Sequence, residues 1–219
     1  MTLCDIHTHQ HPEVPGTAIV QLSPDYFYPL PGHYYSIGLH PWDIRDNWSV
    51  LMAKMAIMAL HPQVVMIGEA GLDKKNGTAS LEQQMEVFRK HVELSELVRK
   101  PLIIHCVKAV DEVLALRKAL RATLPWVLHG FRGGAEQALQ LHRAGIQVSL
   151  GEHCNEHLVQ TLPLDCILLE SDDRGDIDAV YRAVSLFADV EEENLRFIVH
   201  RNIIRVLQLE ASEPYTIPT

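Results

Sequence analysis

Residues 64–106 read VVMIGEAGLDKKNGTASLEQQMEVFRKHVELSELVRKPLIIHC, and the fold class can be predicted from this segment. Its two ends, VVMIGEAG (64–71) and PLIIHC (101–106), are short apolar runs typical of buried strands. Between them, SLEQQMEVFRKHVELSELVRK (80–100) carries apolar residues at helical spacing, which predicts a helix with one face packed on a sheet. A strand, a helix and a further strand in this order predict a parallel βαβ unit.

The same alternation extends over most of the chain. Eight β-rich runs are present, at residues 3–9, 17–23, 33–40, 64–71, 101–106, 126–131, 146–151 and 166–172. From the third run onward they are separated by segments with helical spacing, such as 48–60, 110–124 and 135–145. Eight strands alternating with helices predict a TIM-like (β/α)8 barrel, a fold that often occupies about 200–250 residues as one domain. We therefore expect a single barrel domain over residues 1–219.

Two early connections depart from the alternation. QHPEVPG (10–16) is too short for a normal helix, and PDYFYPLPG (24–32) contains three prolines. We therefore expect the barrel to lack its first two outer helices. We consider two covers for the side left open, namely a second copy of the chain in a homo-oligomer and the C-terminal segment.

The composition excludes some functions. The chain has 219 residues, of which 47% are hydrophobic, and a net charge of −9. Such a chain does not offer the broad basic surface with which many proteins hold nucleic acid, although a phosphate substrate held by metal ions is compatible with it. The start MTLCDIHTHQ (1–10) does not resemble a signal peptide, and no apolar run has the length of a membrane span. With four scattered cysteines, these features predict a cytoplasmic protein without membrane contacts.

Six potential metal ligands lie at the ends of the predicted strands: His7, His9, Glu69, His105, His129 and Asp172. Each alone has an ordinary structural interpretation, such as a core histidine, a buried ion pair or a helix cap. Together they predict one metal site, because the carboxyl ends of barrel strands converge on one mouth. The mixed nitrogen and oxygen donors suit Zn, Mn, Co, Fe or Ni and suit Mg less well, so they do not identify the metal.

Several motifs resemble those of the TatD family of metal-dependent hydrolases. The motifs are DIHTH (5–9), GLHP (38–41), GEAGLD (68–73), IIHC (103–106), LHGF (128–131) and ESD (170–172), with Asn202 in a terminal HRNIIRVL. The resemblance implies a TIM barrel with two divalent ions. One ion would be bound by His7, His9 and Asp172 and the other by His105 and His129, with Glu69 bridging them.

The resemblance also implies an activity, the hydrolysis of phosphodiester bonds in DNA by a water that two metal ions activate. Glu69 and Asp172 are the implied catalytic residues, and Asp172 is expected to orient or deprotonate the water. His40 in GLHP is expected to contact the substrate or support a ligand. Basic residues that follow predicted strand ends, namely Lys75, Lys108 and Arg132 with Lys74 and Arg174, are expected to bind an anionic substrate, although solvated loop charges are an equal interpretation of each.

Two other functions fit the same residues. A metal site of this type also serves amide or lactone hydrolases and deaminases, which would cleave esters or amides and leave phosphodiesters intact. The chain departs from the family pattern where substrate is held, since DRGDID (173–178) replaces a longer loop. A barrel with shortened substrate loops is also compatible with a binding module that has no catalytic activity.

Overall fold

The computed structural model describes residues 3–209. Eight parallel strands form one sheet in the order β1 to β8, each paired with its neighbours in sequence. The strands are Asp5–Thr8 (β1), Ala18–Leu22 (β2), Tyr34–Ile37 (β3), Val64–Asp73 (β4), Leu102–Val107 (β5), Trp126–Leu128 (β6), Ile146–Leu150 (β7) and Ile167–Leu169 (β8). The helices are Trp48–Met58 (α1), Leu81–Val98 (α2), Val110–Leu120 (α3), Ala135–Arg143 (α4), Glu156–Thr161 (α5), Ile177–Ala188 (α6) and Glu192–Val206 (α7).

The sheet closes into a barrel where the first strand meets the end of the last. Thr8 and Asp172 form a parallel bridge. Around it the His9 amide donates to the Asp172 carbonyl at 3.2 Å, and the Asp172 amide donates to the His7 carbonyl at 3.0 Å. The structure therefore confirms the TIM-like barrel predicted from the eight runs, and the seam of the barrel lies beside the predicted metal ligands.

The first two outer helices are absent, as the short connection at 10–16 and the proline-rich connection at 24–32 predict. Residues 9–17 and 23–33, both within the described part of the chain, form turns and extended loops without a helix. The second of these loops contacts β3, since the Leu30 amide donates to the hydroxyl of the fully buried Tyr35 at 2.8 Å. The C-terminal residues 210–219, considered above as a cover, lie outside the described residues. The homo-oligomer stays a prediction.

Helix α2 shows how the sequence defines an outer element. The Ser80 hydroxyl caps its first turn by accepting from the Gln83 amide at 3.2 Å, and Arg99 ends it in a left-handed conformation. Phe88 and Val92 on its inner face are buried in the core. Among residues 3–209, no helix combines the length and apolar character that crossing a membrane requires.

Candidate metal centre

The Glu69 carboxylate lies at the centre of a cluster of imidazoles at the mouth of the barrel. Its Oε1 is 2.7 Å from His129 Nε2 and 2.9 Å from His105 Nδ1. Its Oε2 is 3.3 Å from His7 Nε2 and 3.4 Å from His9 Nε2. The two oxygens therefore face different sets of imidazoles, which is the disposition of a carboxylate that can bridge two cations.

Asp172 completes the group on the β1 side. Its Oδ1 lies 3.6 Å from His7 Nε2 and 3.5 Å from His9 Nε2. The residue adopts φ of 50°, a left-handed conformation that aspartate tolerates better than most residues. Its side chain is 39% exposed, so it is accessible from the mouth. The structure thus brings all six predicted ligands together, and their role as ligands stays a prediction.

Two glycines permit the close backbone packing around Glu69. A Cβ on Gly38, in the GLHP motif, would lie 2.3 Å from the Glu69 carbonyl oxygen. At Gly71, where φ is +156°, a Cβ would lie 2.0 Å from the His105 carbonyl oxygen. Larger residues at these positions would push apart the strands that carry two of the predicted ligands.

The acidic and imidazole groups of the cluster shift one another's pKa values. Burial is the largest influence on Glu69 and disfavours its ionised form, but the charge of His129 and hydrogen bonds from His105, His129 and His40 outweigh it. The pKa of the Glu69 carboxyl therefore lies well below its usual range. For His129, burial again opposes the charged form, while Glu69 and Glu170 raise the pKa of its imidazole well above the usual value. The buried carboxylates thus require positive charge beside them.

The state of His7 tests whether a metal ion fits this cluster. His7 is fully buried, and neither of its ring nitrogens forms a hydrogen bond within residues 3–209. A buried polar group without a partner is rare and costs about 1–3 kcal/mol. A cation beside the oxygens of Glu69 and Asp172 would give His7 Nε2 the partner that it lacks. Four groups of three side chains place potential ligand atoms within 4.8 Å of one another: His7/His9/Asp172, His7/Glu69/His129, His40/Glu69/His105 and His129/Glu170/Asp172. The cluster fits a divalent metal.

His40 lies closer to the ligands than a purely substrate-contacting residue requires. Its Nε2 is 3.2 Å from Glu69 Oε1, and its Nδ1 accepts a hydrogen bond from the Trp42 amide at 3.1 Å. The Trp42 bond fixes the ring so that Nε2 points at the carboxylate. Because Nδ1 accepts, a neutral His40 carries its proton on Nε2 and donates it to Glu69 Oε1, so this geometry favours support of the carboxylate over metal ligation. A role in substrate binding stays a prediction for His40.

Two carboxylates that sequence reasoning missed orient the histidines. Asp73 Oδ2 lies 3.3 Å from His105 Nε2, and Glu170 Oε1 lies 3.4 Å from His129 Nδ1. A carboxylate on the far nitrogen of an imidazole holds the ring and increases its basicity as a ligand. Asp73 lies in the motif GEAGLD with Glu69, and Glu170 lies in the motif ESD with Asp172. The available signal was thus a second acidic residue, without an assigned role, in the same motif as a predicted ligand.

Asp5 is a third missed carboxylate and joins β1 to β8. Its Oδ2 accepts from the Ser171 hydroxyl at 2.6 Å, and its Oδ1 accepts from the amides of Ser171 and His7 at 3.2 Å each. Burial raises the pKa of the Asp5 carboxyl to about 7 against these hydrogen bonds. Asp5 therefore aligns the two strand ends that carry His7 and Asp172.

The cluster forms part of the walls of two large cavities. The first, which we call the aromatic pocket, has a volume of about 450 Å³. Its lining combines Trp42, Tyr26 and His40 with five of the predicted ligands, namely His9, Glu69, His105, His129 and Asp172. The second, which we call the basic groove, has a volume of about 660 Å³. Its lining includes His105, His129 and all three basic residues predicted to bind substrate, Lys75, Lys108 and Arg132. Those three residues are thus brought together beside the cluster.

The other two basic residues considered from the sequence have carboxylate partners. Lys74 pairs with Glu112, and Arg174 Nε lies 3.1 Å from Glu152 Oε2. A cation already paired with a carboxylate has less positive potential to offer an anionic substrate. Lys74 and Arg174 are therefore less available to an anion than unpaired cations would be, and substrate binding by Lys75, Lys108 and Arg132 stays a prediction.

Comparison with known proteins finds related sequences. The family model described as TatD related DNase matches residues 25–208. The 3'-5' ssDNA/RNA exonuclease TatD of Erwinia billingiae is 33% identical over 152 residues, which are 65% of this chain and 58% of that protein. A Bacillus subtilis protein named Uncharacterized metal-dependent hydrolase YabD is 31% identical over 147 residues, which are 64% of this chain and 58% of that protein. The matches thus span less than two thirds of these relatives' length.

Solved structures are similar in fold. YJJV, a TatD homolog from Escherichia coli, superposes with a TM-score of 0.76 at 18% identity, covering 93% of this chain and 97% of that one. A hydrolase TatD family protein from Entamoeba histolytica superposes with a TM-score of 0.75 at 14% identity, covering 94% and 98%. Identities this low show the fold alone, and that fold is the same barrel.

Proposed function

We propose that this chain, which belongs to the family of TatD related DNases, is a metal-dependent hydrolase of phosphodiester bonds in nucleic acid. The observation that supports this most strongly is the Glu69 carboxylate, whose two oxygens face separate imidazoles beside a groove with three cations. A relative named as an exonuclease of single-stranded DNA and RNA favours a single strand as the substrate.

We assign two divalent ions to the cluster. His7, His9 and Asp172 would bind one ion and His105 with His129 the other, while each oxygen of Glu69 would serve one of them. Bound divalent ions supply Lewis acidity, since they acidify a water molecule and stabilise negative charge on phosphoryl oxygens. The donor set does not select among Zn, Mn, Mg, Co and Ni.

The protein's own side chains have separable tasks in this reaction. The Asp172 carboxylate, exposed at the mouth, accepts the proton of the attacking water. Lys75, Lys108 and Arg132 bind the non-bridging oxygens of neighbouring phosphates and so hold the scissile bond over the cluster. Glu69 stays ionised because its surrounding imidazoles lower its pKa.

The direct test measures metal content and cleavage for Glu69→Gln. The control is Glu86→Gln, which changes an exposed glutamate on α2 in the same way. Substrates are single-stranded DNA, duplex DNA and bis(p-nitrophenyl) phosphate, with an amide and a lactone as comparison substrates. We expect Glu69→Gln to lose more than about 100-fold in rate and to bind less metal, because it removes a charged bridge, and Glu86→Gln to match wild type. Equal rates for Glu69→Gln and wild type would refute the bridging role. Cleavage of the amide or the lactone, with no cleavage of any phosphodiester, would refute the proposed nuclease activity.

A further inference from the structure

Trp42 has an indole that is both exposed and fixed in place. The side chain is 44% exposed, yet its Nε1 donates to Asp73 Oδ2 at 2.7 Å. Its carbonyl oxygen accepts from Arg45 Nη1 at 2.7 Å and from the Thr78 hydroxyl at 3.0 Å. The His40 ring packs against it nearly perpendicularly, with centroids 4.8 Å apart. A large apolar ring held open to solvent beside a metal cluster is a preformed surface for a flat ligand.

The charges of the two cavities are segregated. The lining of the aromatic pocket includes Asp43 and Asp173, and among the described residues it contains no lysine or arginine. The basic groove contains Lys75, Lys108 and Arg132. The same lining includes the predicted ligands His9, Glu69, His105, His129 and Asp172, so a phosphate at the proposed ions would be compensated there. Any further phosphate in this pocket would face Asp43 and Asp173 without a basic partner, whereas an uncharged ring would stack on Trp42. The two cavities therefore suit different parts of one ligand.

We propose that the aromatic pocket is a subsite for one nucleobase at the end of the substrate strand, stacked on the Trp42 indole while the adjoining phosphates lie in the basic groove. This inference rests on the proposed function. A nucleobase has a flat, uncharged face, and stacking on an aromatic side chain is tolerant of base identity. The volume of about 450 Å³ lies within the range of small-molecule sites.

The Asp73 carboxylate links this subsite to the cluster. Its Oδ2 accepts from Trp42 Nε1 at 2.7 Å and lies 3.3 Å from His105 Nε2. A base stacked on Trp42 thus rests on a side chain anchored by the same atom that orients a predicted ligand. Trp42→Phe keeps an aromatic face and loses this anchor, whereas Trp42→Leu loses both.

The test measures binding of a short single strand with phosphorothioate linkages, which slow turnover, to protein loaded with Mn²⁺. A second probe is the same strand with abasic residues at both ends. We expect wild type to bind the complete strand about 5- to 100-fold more tightly, Trp42→Leu to lose this ratio, and Trp42→Phe to keep most of it. The matched control is Trp48→Phe at the start of α1, outside both cavity linings, which should keep the ratio. It leaves Trp42 and the fully buried Trp126 as fluorophores, so we expect the complete strand to quench the component that comes from the exposed Trp42.

Equal binding of the two probes by wild type would overturn the inference, as would an unchanged ratio in Trp42→Leu. If Trp42→Leu does not fold, an absence of quenching in Trp48→Phe overturns it equally. Bis(p-nitrophenyl) phosphate, which has no base, separates the two proposals. If it is cleaved while wild type binds the complete and the abasic strands equally, the subsite alone is contradicted. If no phosphodiester is cleaved, the proposed function is contradicted.

Discussion

His91 on α2 connects the stability of the barrel to pH. Its ring is fully buried, with Nδ1 donating to the Val87 carbonyl at 2.8 Å and Nε2 accepting from the Leu39 amide at 3.0 Å. Protonation of Nε2 would remove the acceptor for Leu39, the residue before His40. Burial lowers the pKa of His91 to about 4, although the bond to Val87 opposes the shift.

The magnitude follows from the difference between the folded and unfolded pKa. An unfolded histidine titrates near 6.5 and the folded one at about 4, so between these pH values the unfolded chain binds a proton that the folded chain does not. The stabilising contribution is therefore complete above pH 6.5 and is lost as pH falls towards 4. The loss is about 1.4 kcal/mol per pH unit while only the unfolded chain is protonated, and it levels off near pH 4, where the folded imidazole is itself half protonated. The loss by pH 4 is therefore about 3 kcal/mol.

The assay is urea unfolding at several pH values between 7 and 4, in EDTA so that metal binding does not contribute. We expect the free energy of unfolding of wild type to fall by about 3 kcal/mol more than that of His91→Gln over this range, since glutamine does not titrate. His157→Gln, which replaces an exposed histidine, should follow wild type. Parallel curves for wild type and His91→Gln would show that His91 does not cause this loss of stability.

Two further predictions concern the groups around the cluster. Glu170→Gln should weaken metal affinity about 10- to 100-fold, because His129 loses the carboxylate on its Nδ1, and a metal titration followed by calorimetry measures this. An affinity equal to wild type would contradict that role. Arg132→Ala should reduce the slope of log affinity for single-stranded DNA against log salt by about 0.7, whereas Arg143→Ala on the outer helix α4 should not. Equal slopes in both variants would remove Arg132 from the phosphate site.

Much of the fold could be predicted because its signals are local. Apolar runs and helical spacing are properties of adjacent residues, so all eight strands were predicted, and the prolines of 24–32 predicted a missing helix. Helices α5 and α6 were not predicted as individual elements. Glu156–Thr161 is too short to show a helical period, and DRGDID (173–178) at the start of α6 reads as a loop.

The candidate site divides in the same way. His105 and Glu69 could be placed because strand ends in a barrel converge whatever the sequence between them. The role of Asp73 could not be predicted, because it depends on the distance between its carboxylate on β4 and the His105 ring on the neighbouring strand β5. Lys74 likewise looked as available as Lys75 until the structure placed Glu112 against it.

The seam between Thr8 and Asp172 gives the site a place in the order of folding. The two residues are 164 positions apart, and their pairing closes the ring while it brings the Asp172 carboxylate to His7 and His9. Contacts between such distant segments carry the largest loop-closure entropy, so they tend to form late. In a partly folded chain, His7 and His9 would therefore lack the Asp172 carboxylate beside them. The complete set of predicted ligands would form only when the barrel closes, so metal binding at this set would indicate that closure has taken place.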